Sequence, residues 1–465
     1  MSETDFIAPD TLRATFAAAM SAMYRDEVPA YRTLIRLVEA VNTETLAADP
    51  DLAAQLDATG SLSRISDERH GAIRLGTPAE LSMMRRVFAI MGMYPVGYYD
   101  LSAAGVPVHS TAFRPVGEAN LKRNPFRVFT SLLRLDLIVD DSLRGEVASI
   151  LSRRSIFTTS ACALVEKAER DGGLSATDGI SFVHEVLDTF RWHDKAVVDA
   201  AMYDRLHTAH RLIADIASFR GPHINHLTPR TLDIDTVQDR MPKKGITPKA
   251  VIEGPPARRC PILLRQTSFK ALNEPVGFVR QDGTLEKGSH TARFGEIEQR
   301  GLALTPKGRA LYDDLLAKAR AIVPPAADGS NAAEYQVALS DVFAAFPDTW
   351  VEIRRAGLGY FVYSLTEKGK ATPASNTDIE SAIEDELLRA DPIVYEDFLP
   401  VSAAGIFQSN LGESATRKFV AGPNQLKFES DLGAAVLDEF AHYSDIEMTS
   451  VRNCLHVLGT AAAAE

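Results

Sequence analysis

Apolar residues recur at helical spacing through the first sixty positions. Leu12, Phe16, Met20 and Met23 form one stripe behind Asp10, a residue suited to cap the run, and Leu34, Leu37, Val38 and Val41 form a second. The pattern then changes to strand, helix, glycine stop, strand. From His70 the chain runs Gly71-Ala72-Ile73-Arg74 to Thr77-Pro78, which sets a capping hydroxyl before a proline at the first helical position. Met83, Met84, Val87, Phe88 and Met91 make the stripe of that helix, and Gly92 stops it. Strands are expected from Tyr94 to Leu101 and from Val106 to Phe113.

Positions 120 to 220 read as helical, with Leu132, Leu133, Leu135, Leu137, Ile138, Leu143, Val147 and Ile150 followed, after a break, by Cys162, Leu164 and Val165. The earlier pattern then returns: His226, Thr228-Pro229, a polar helical run, Gly245-Ile246, and Thr247-Pro248 opening another strand. Strands are expected near 223–230, 247–253, 261–271 and 291–299. Leu304-Thr305-Pro306 opens a further helix, and Ile393 to Gly405 reads as a strand followed by a small-residue turn. The organisation expected is N-terminal helices over 1–64, a first β-α-β module over 65–115 and a helical insertion over 116–220. A second β-α-β module over 221–303 and a C-terminal α/β segment over 304–465 would complete one integrated catalytic unit. The fold class is α+β.

Composition narrows the function. At 465 residues, 45% hydrophobic and 24% charged, the chain is an ordinary globular one. A net charge of −12 argues against nucleic acid and against an anionic membrane surface as partners. Cys162, Cys260 and Cys454 are far apart and lack CxxC spacing, which fits a cytoplasmic location and excludes a cysteine-based zinc module. The acidic N-terminus lacks the order of a signal peptide, and no window reads as a membrane span. No glycine-rich phosphate loop or GxSxG elbow occurs. His207-Thr208-Ala209-His210 and His184-Glu185 lie in ordinary amphipathic runs.

The chemistry rests on the repeat. His70 and His226 open matching units, and a strand from Arg293 to Gly301 carries Glu296 and Glu298 on one face. Two histidines and a carboxylate suit a mononuclear non-haem Fe(II) site with open positions. A lone strand histidine is ordinarily a core or surface residue; placement on paired units favours His70 and His226 as ligands. His223, three residues earlier, would project to the opposite face. Glu296 is the preferred carboxylate, and Glu298 is either its partner or the ligand instead. Arg74 shares a face with His70, roughly 13 Å away between α-carbons at strand rise. Arg265, Gln266 and Ser268 could add polar contacts.

The runs Arg69–Arg74, Gly92–Leu101, Val108–Pro115, His223–Arg230, Phe294–Gly301 and Leu399–Gly405 resemble the 2-oxoadipate dioxygenase/decarboxylase family over nearly the whole chain. The resemblance implies two vicinal-oxygen-chelate-like βαβββ modules forming a central curved sheet, with a helical insertion and helical flanks. It also implies distant similarity to hydroxyphenylpyruvate dioxygenase, whose ligand carboxylate lies in an FxExxxR-like strand; Phe294-Gly295-Glu296 matches it, favouring Glu296. His70, His226 and Glu296 would hold Fe(2+), while Arg74 and the Val401-Ser402 turn would contact substrate. The implied reaction converts 2-oxoadipate and O2 to D-2-hydroxyglutarate and CO2 in lysine catabolism. The alternatives are another metal-dependent enzyme (a hydrolase or isomerase) on the same scaffold, or a non-catalytic small-acid-binding protein.

Overall fold

A computed structural model describes residues 6–459, except 59–60, 63, 68, 281, 327, 372–377 and 400–423. The strands are β1 (Arg69–Leu75), β2 (Met93–Asp100), β3 (Val108–Pro115), β4 (Arg127–Leu133), β5 (Leu227–Pro229), β6 (Leu264–Ser268), β7 (Asn273–Val279), β8 (Leu285–Thr291), β9 (Glu296–Arg300), β10 (Phe361–Leu365) and β11 (Leu388–Pro392). The chain divides into two compact units. The first comprises Met1–Lys249, Gln266–Glu298 and Phe398–Leu437, and the second Ala250–Arg265, Gln299–Asp397 and Asp438–Glu465.

The first unit is built on a five-stranded sheet in the order β2-β3-β4-β1-β5. β1 runs parallel to β4, which requires the crossover helix Pro78–Ile90, while β2, β3 and β4 form antiparallel neighbours. That helix begins as expected: Thr77 Oγ1 accepts from the Glu80 amide in a capping box, and Gly92 follows its end at φ +66°. Beyond β5 the pattern repeats, because Arg230 bridges Glu298 in parallel and the Thr231 amide donates to the Glu298 carbonyl at 2.7 Å. β1 is thus parallel to β4 along its length, and the residue after β5 makes one parallel bridge to β9. The second module also carries the hairpin β7–β8, and β6 pairs with β9.

Several expectations need correction. Arg127–Leu133, placed by its leucines in the helical stretch, is the central strand β4; it is buried on both faces, so it lacks the alternation that marks a half-exposed strand. The helices of that stretch are Glu118–Arg123, before β4, and those between Asp141 and Ala217. No strand forms over 247–253, where Pro248 makes a single bridge to Phe269. Asp10 is not a cap: the helix Pro9–Glu27 starts from Ala8, and Asp10 lies in its first turn, paired with Arg123.

Helix Pro9–Glu27 is held by buried polar groups as well as by its apolar stripe. Arg13 donates to the carbonyls of Met91, Asn120 and Asn124, and Phe16 packs edge-on against Phe126 and Phe190. At the other end the buried Tyr24 hydroxyl lies 2.9 Å from the Asn225 carbonyl and 2.6 Å from that of Phe294. Those carbonyls flank His226 and Glu296, so one helix braces the backbone beside both.

The second unit holds the antiparallel pair β10–β11 and the helices Pro306–Ile322, Ala332–Phe343 and Glu439–Val457. Thr305 caps the first of these, as its Leu304-Thr305-Pro306 signal predicts. Among the described residues, no helix is long and apolar enough to cross a membrane.

Tyr24→Phe should destabilise the fold by about 0.5–1.5 kcal/mol, since it removes the buried hydroxyl between the Phe294 and Asn225 carbonyls, the latter still accepting from the Phe294 amide. A urea titration followed by fluorescence should show a lower midpoint; an unchanged midpoint would contradict the bracing role.

Candidate metal centre

Residues at i and i+2 of a strand share a face, so β1 presents His70, Ala72 and Arg74 together, and β9 presents Glu296 and Glu298. Pairing register extends that face sideways. His70 lies opposite Arg127 on β4 and Thr228 on β5; Ala72 lies opposite Phe129, and Arg74 opposite Ser131. On β3, Ala112 pairs with Phe129 and Ser110 with Ser131.

Three donor groups converge there. Glu296 Oε2 is 3.1 Å from His70 Nε2 and 3.3 Å from His226 Nε2. All three side chains are buried, and their ligand atoms lie within 4.8 Å of one another. Thr228 Oγ1 donates to Glu296 Oε2 at 2.9 Å. Phe398 packs edge-on against the His70 ring at 4.9 Å, and Phe294 lies 4.7 Å from the His226 ring, which shields the cluster from water.

Glu298 has a different place. Its Oε2 sits 3.0 Å from His70 Nδ1, and its Oε1 lies 3.9 Å from the Arg127 guanidinium. Glu296 thus faces the Nε2 atoms of both histidines, whereas Glu298 faces the far nitrogen of His70. A carboxylate beside the far nitrogen is the arrangement that orients metal-binding histidines, with Nε2 then turned toward the metal.

The electrostatics divide the two histidines. Burial drives the His226 imidazole down to about 3, with Glu296 opposing and His70 and Arg74 adding to the fall, so the ring is neutral. Burial also lowers His70, but the Glu298 and Glu296 carboxylates outweigh it and leave that ring above its ordinary value. Burial raises Glu296, and the two histidines and Thr228 outweigh it, so the carboxylate is held below its ordinary range.

The donor set fits a divalent metal. Adjacent ligands of an octahedral ion with bonds of about 2.0–2.2 Å are separated by about 3 Å, close to the spacings around Glu296 Oε2. Glu296 Oε1 and His226 Nδ1 are buried without a hydrogen-bond partner among the described residues. A carboxylate oxygen left in that state is costly unless a cation serves it.

The other expected residues divide. Arg74 is buried, and its Nη1 donates to Asp215 Oδ2 at 2.5 Å. His223 turns to that aspartate instead of the metal group, 3.3 Å from Oδ1. In the second unit Arg265 donates to the Pro255 carbonyl and to Gln299. Gln266 and Ser268 are buried. Val401 and Ser402 lie outside the described residues. Asp215, His290, Thr228 and Arg127 escaped sequence reasoning. Arg127 and Thr228 could have been found by extending the strands around the histidines; nothing local marks Asp215 or His290.

The chain is similar to known proteins over nearly its whole length. Residues 16–410 match the family model described as 2-oxoadipate dioxygenase/decarboxylase. A 2-oxoadipate dioxygenase/decarboxylase of Pseudomonas putida is 55% identical over 461 residues, 98% of this chain and 99% of the relative. One of Escherichia coli is 54% identical over 451 residues, 96% of this chain and 98% of the relative. Among solved structures, the hydroxyglutarate synthase of Pseudomonas putida in complex with 2-oxoadipate is 53% identical, with a TM-score of 0.89 and coverage of 98% of this chain and 99% of that one.

Glu298→Gln keeps the side chain's size and removes the charge facing His70 Nδ1. Metal affinity should fall by roughly 10–100-fold with one-to-one stoichiometry retained, as loss of a ligand-orienting carboxylate does. Chelator competition measures it; loss of all stoichiometric binding would make Glu298 a ligand, and wild-type affinity would remove its orienting role.

Proposed function

This chain belongs to the 2-oxoadipate dioxygenase/decarboxylase family, and on that premise we propose that it converts 2-oxoadipate and O2 to D-2-hydroxyglutarate and CO2 with Fe(II), as a step of lysine catabolism. The observation that supports this most directly is the buried meeting of His70, His226 and Glu296. Those side chains would hold the ion through both Nε2 atoms and the Glu296 carboxylate. When bound, Fe(II) supplies coordination positions for a 2-oxo acid and for O2, together with the electrons that O2 activation needs. The three cysteines are free and fit a reducing compartment, so we place the enzyme in the cytoplasm.

The protein's own groups orient and exclude. Glu298 fixes the His70 ring, Thr228 fixes the Glu296 carboxylate, and Phe398 and Phe294 keep the histidine edges dry. Arg74 is assigned to the distal carboxylate of the substrate, whose planar two-oxygen shape a guanidinium matches. Between the His70 row and the Arg74 row of the sheet lie Ala72, Phe129 and Ala112, an apolar strip suited to methylenes. A diacid laid along β1 would therefore meet charge, then hydrocarbon, then charge. Val401 and Ser402 are assigned to substrate contact by family resemblance. The atoms balance: C1 leaves as CO2, one oxygen atom enters the new carboxylate, and the other becomes the hydroxyl on the adjacent carbon.

Oxygen uptake with 2-oxoadipate should require Fe(II) and should not be supported by Zn(II); uptake that ignores the metal would contradict the assignment. With 18O2, both labelled atoms should appear in one hydroxyglutarate molecule. His70→Ala and His226→Ala should each lose iron, and full iron content in either would remove that residue from the ligand set. Arg74→Ala should retain iron and lower kcat/KM by roughly 10–100-fold, mainly through KM, because a hydrogen bond to a charged group contributes about 1.5–3 kcal/mol. Wild-type kinetics in that variant would refute the clamp.

A further inference from the structure

Asp215 is a buried carboxylate that the reaction itself does not use, yet both of its oxygens are engaged. Oδ2 receives Arg74 Nη1 at 2.5 Å and Oδ1 receives His290 Nε2 at 2.8 Å, while the His223 ring stands with Nε2 3.3 Å from Oδ1. With its Nε2–H given to Asp215, His290 presents Nδ1 as an acceptor, and the Tyr203 hydroxyl lies 2.8 Å from it. The Trp192 ring lies parallel to that of His290 at 6.2 Å and meets His223 edge-on at 4.8 Å. Arg74, Asp215, His223 and His290 are all buried.

We infer that Asp215, held by His290 and Tyr203, is the positioning residue that sets the Arg74 guanidinium for the distal carboxylate of the 2-oxo diacid. This rests on the role given to Arg74 above. A long arginine side chain four residues from His70, on the same strand face, has rival carboxylates within the site. Released, its guanidinium would be drawn toward Glu296 or Glu298, where it would compete with the metal. Asp215 anchors Nη1 on the opposite side, and the histidine–tyrosine chain fixes Asp215 in turn. Preorganisation of this kind determines how well a bidentate fork meets its partner. Two histidines and an aspartate also resemble a metal-ligand set, but the arginine charge already lies on the carboxylate and repels a cation.

The test compares 2-oxoadipate with 2-oxohexanoate, which has the same chain length and no distal carboxylate. Binding of each to Fe(II)-loaded protein is measured anaerobically by calorimetry, so that turnover plays no part. Asp215→Asn should bind iron stoichiometrically, leave 2-oxohexanoate affinity unchanged, and weaken 2-oxoadipate binding on the order of tenfold, as a small misplacement of a positioning group does. A general structural defect would weaken both acids alike and would overturn the inference. His290→Phe removes one support of Asp215 and should shift the ratio in the same direction; it decides the matter if Asp215→Asn does not fold. Arg74→Ala, run in parallel, should abolish the preference for the diacid. If it does not, the role of Arg74 fails. If it does while both other variants keep the wild-type preference, only the positioning of Arg74 by Asp215 fails.

Discussion

Two carboxylates placed on one buried face of a short strand, with a histidine between them, constrain everything else in this site. Glu296 and Glu298 are two residues apart on β9, and both are almost wholly removed from solvent. Burying one charge in such surroundings is costly, and burying two side by side more so. The protein answers by dividing the partners. Glu298 lies 3.0 Å from His70 Nδ1 and near Arg127; Glu296 receives Thr228 and faces the Nε2 atoms of both histidines. What remains is Glu296 Oε1, buried without a hydrogen-bond partner among the described residues, beside two imidazole Nε2 atoms, a donor set that a divalent cation would satisfy.

That constraint explains the topology around it. The antiparallel pairing of β1 with β5 sets Thr228 beside His70, and the parallel contact of Arg230 with Glu298 brings β9 to the other side of β5. One histidine comes from β1 and the other from the residue just before β5, its antiparallel neighbour. Helix Pro9–Glu27, through Tyr24, ties down the carbonyls that flank His226 and Glu296. Asp215 gathers Arg74, His223 and His290 into a second charged cluster. The Asp215 cluster, with Arg74, thus sits at one end of β1 and the His70, His226 and Glu296 group at the other.

Much of this was legible in the sequence because it depends on strand alternation and on local stop signals. Thr77-Pro78, Gly92 and Thr305-Pro306 mark their helices where expected, since capping and positive φ depend on few neighbours. His70, His226 and Glu296 stood out through their repeated setting and the Phe294-Gly295-Glu296 match. β4 did not, because a strand buried on both faces has no polar alternation and its leucines mimic a helical stripe. Asp215, His290 and Tyr203 were illegible for another reason: their grouping joins two consecutive helices to a hairpin strand 75 residues beyond Asp215, and no spacing rule reports such contacts. The choice between Glu296 and Glu298 needed geometry as well, since alternation gives both the same face.

Anomalous diffraction at the iron edge from anaerobically grown Fe(II)-loaded crystals tests the central claim most directly. The account predicts one peak per chain, about 2.0–2.2 Å from His70 Nε2, His226 Nε2 and a Glu296 oxygen, with Glu298 beyond bonding distance. A peak bonded to Glu298, or one seated at Asp215 between His223 and His290, would contradict it.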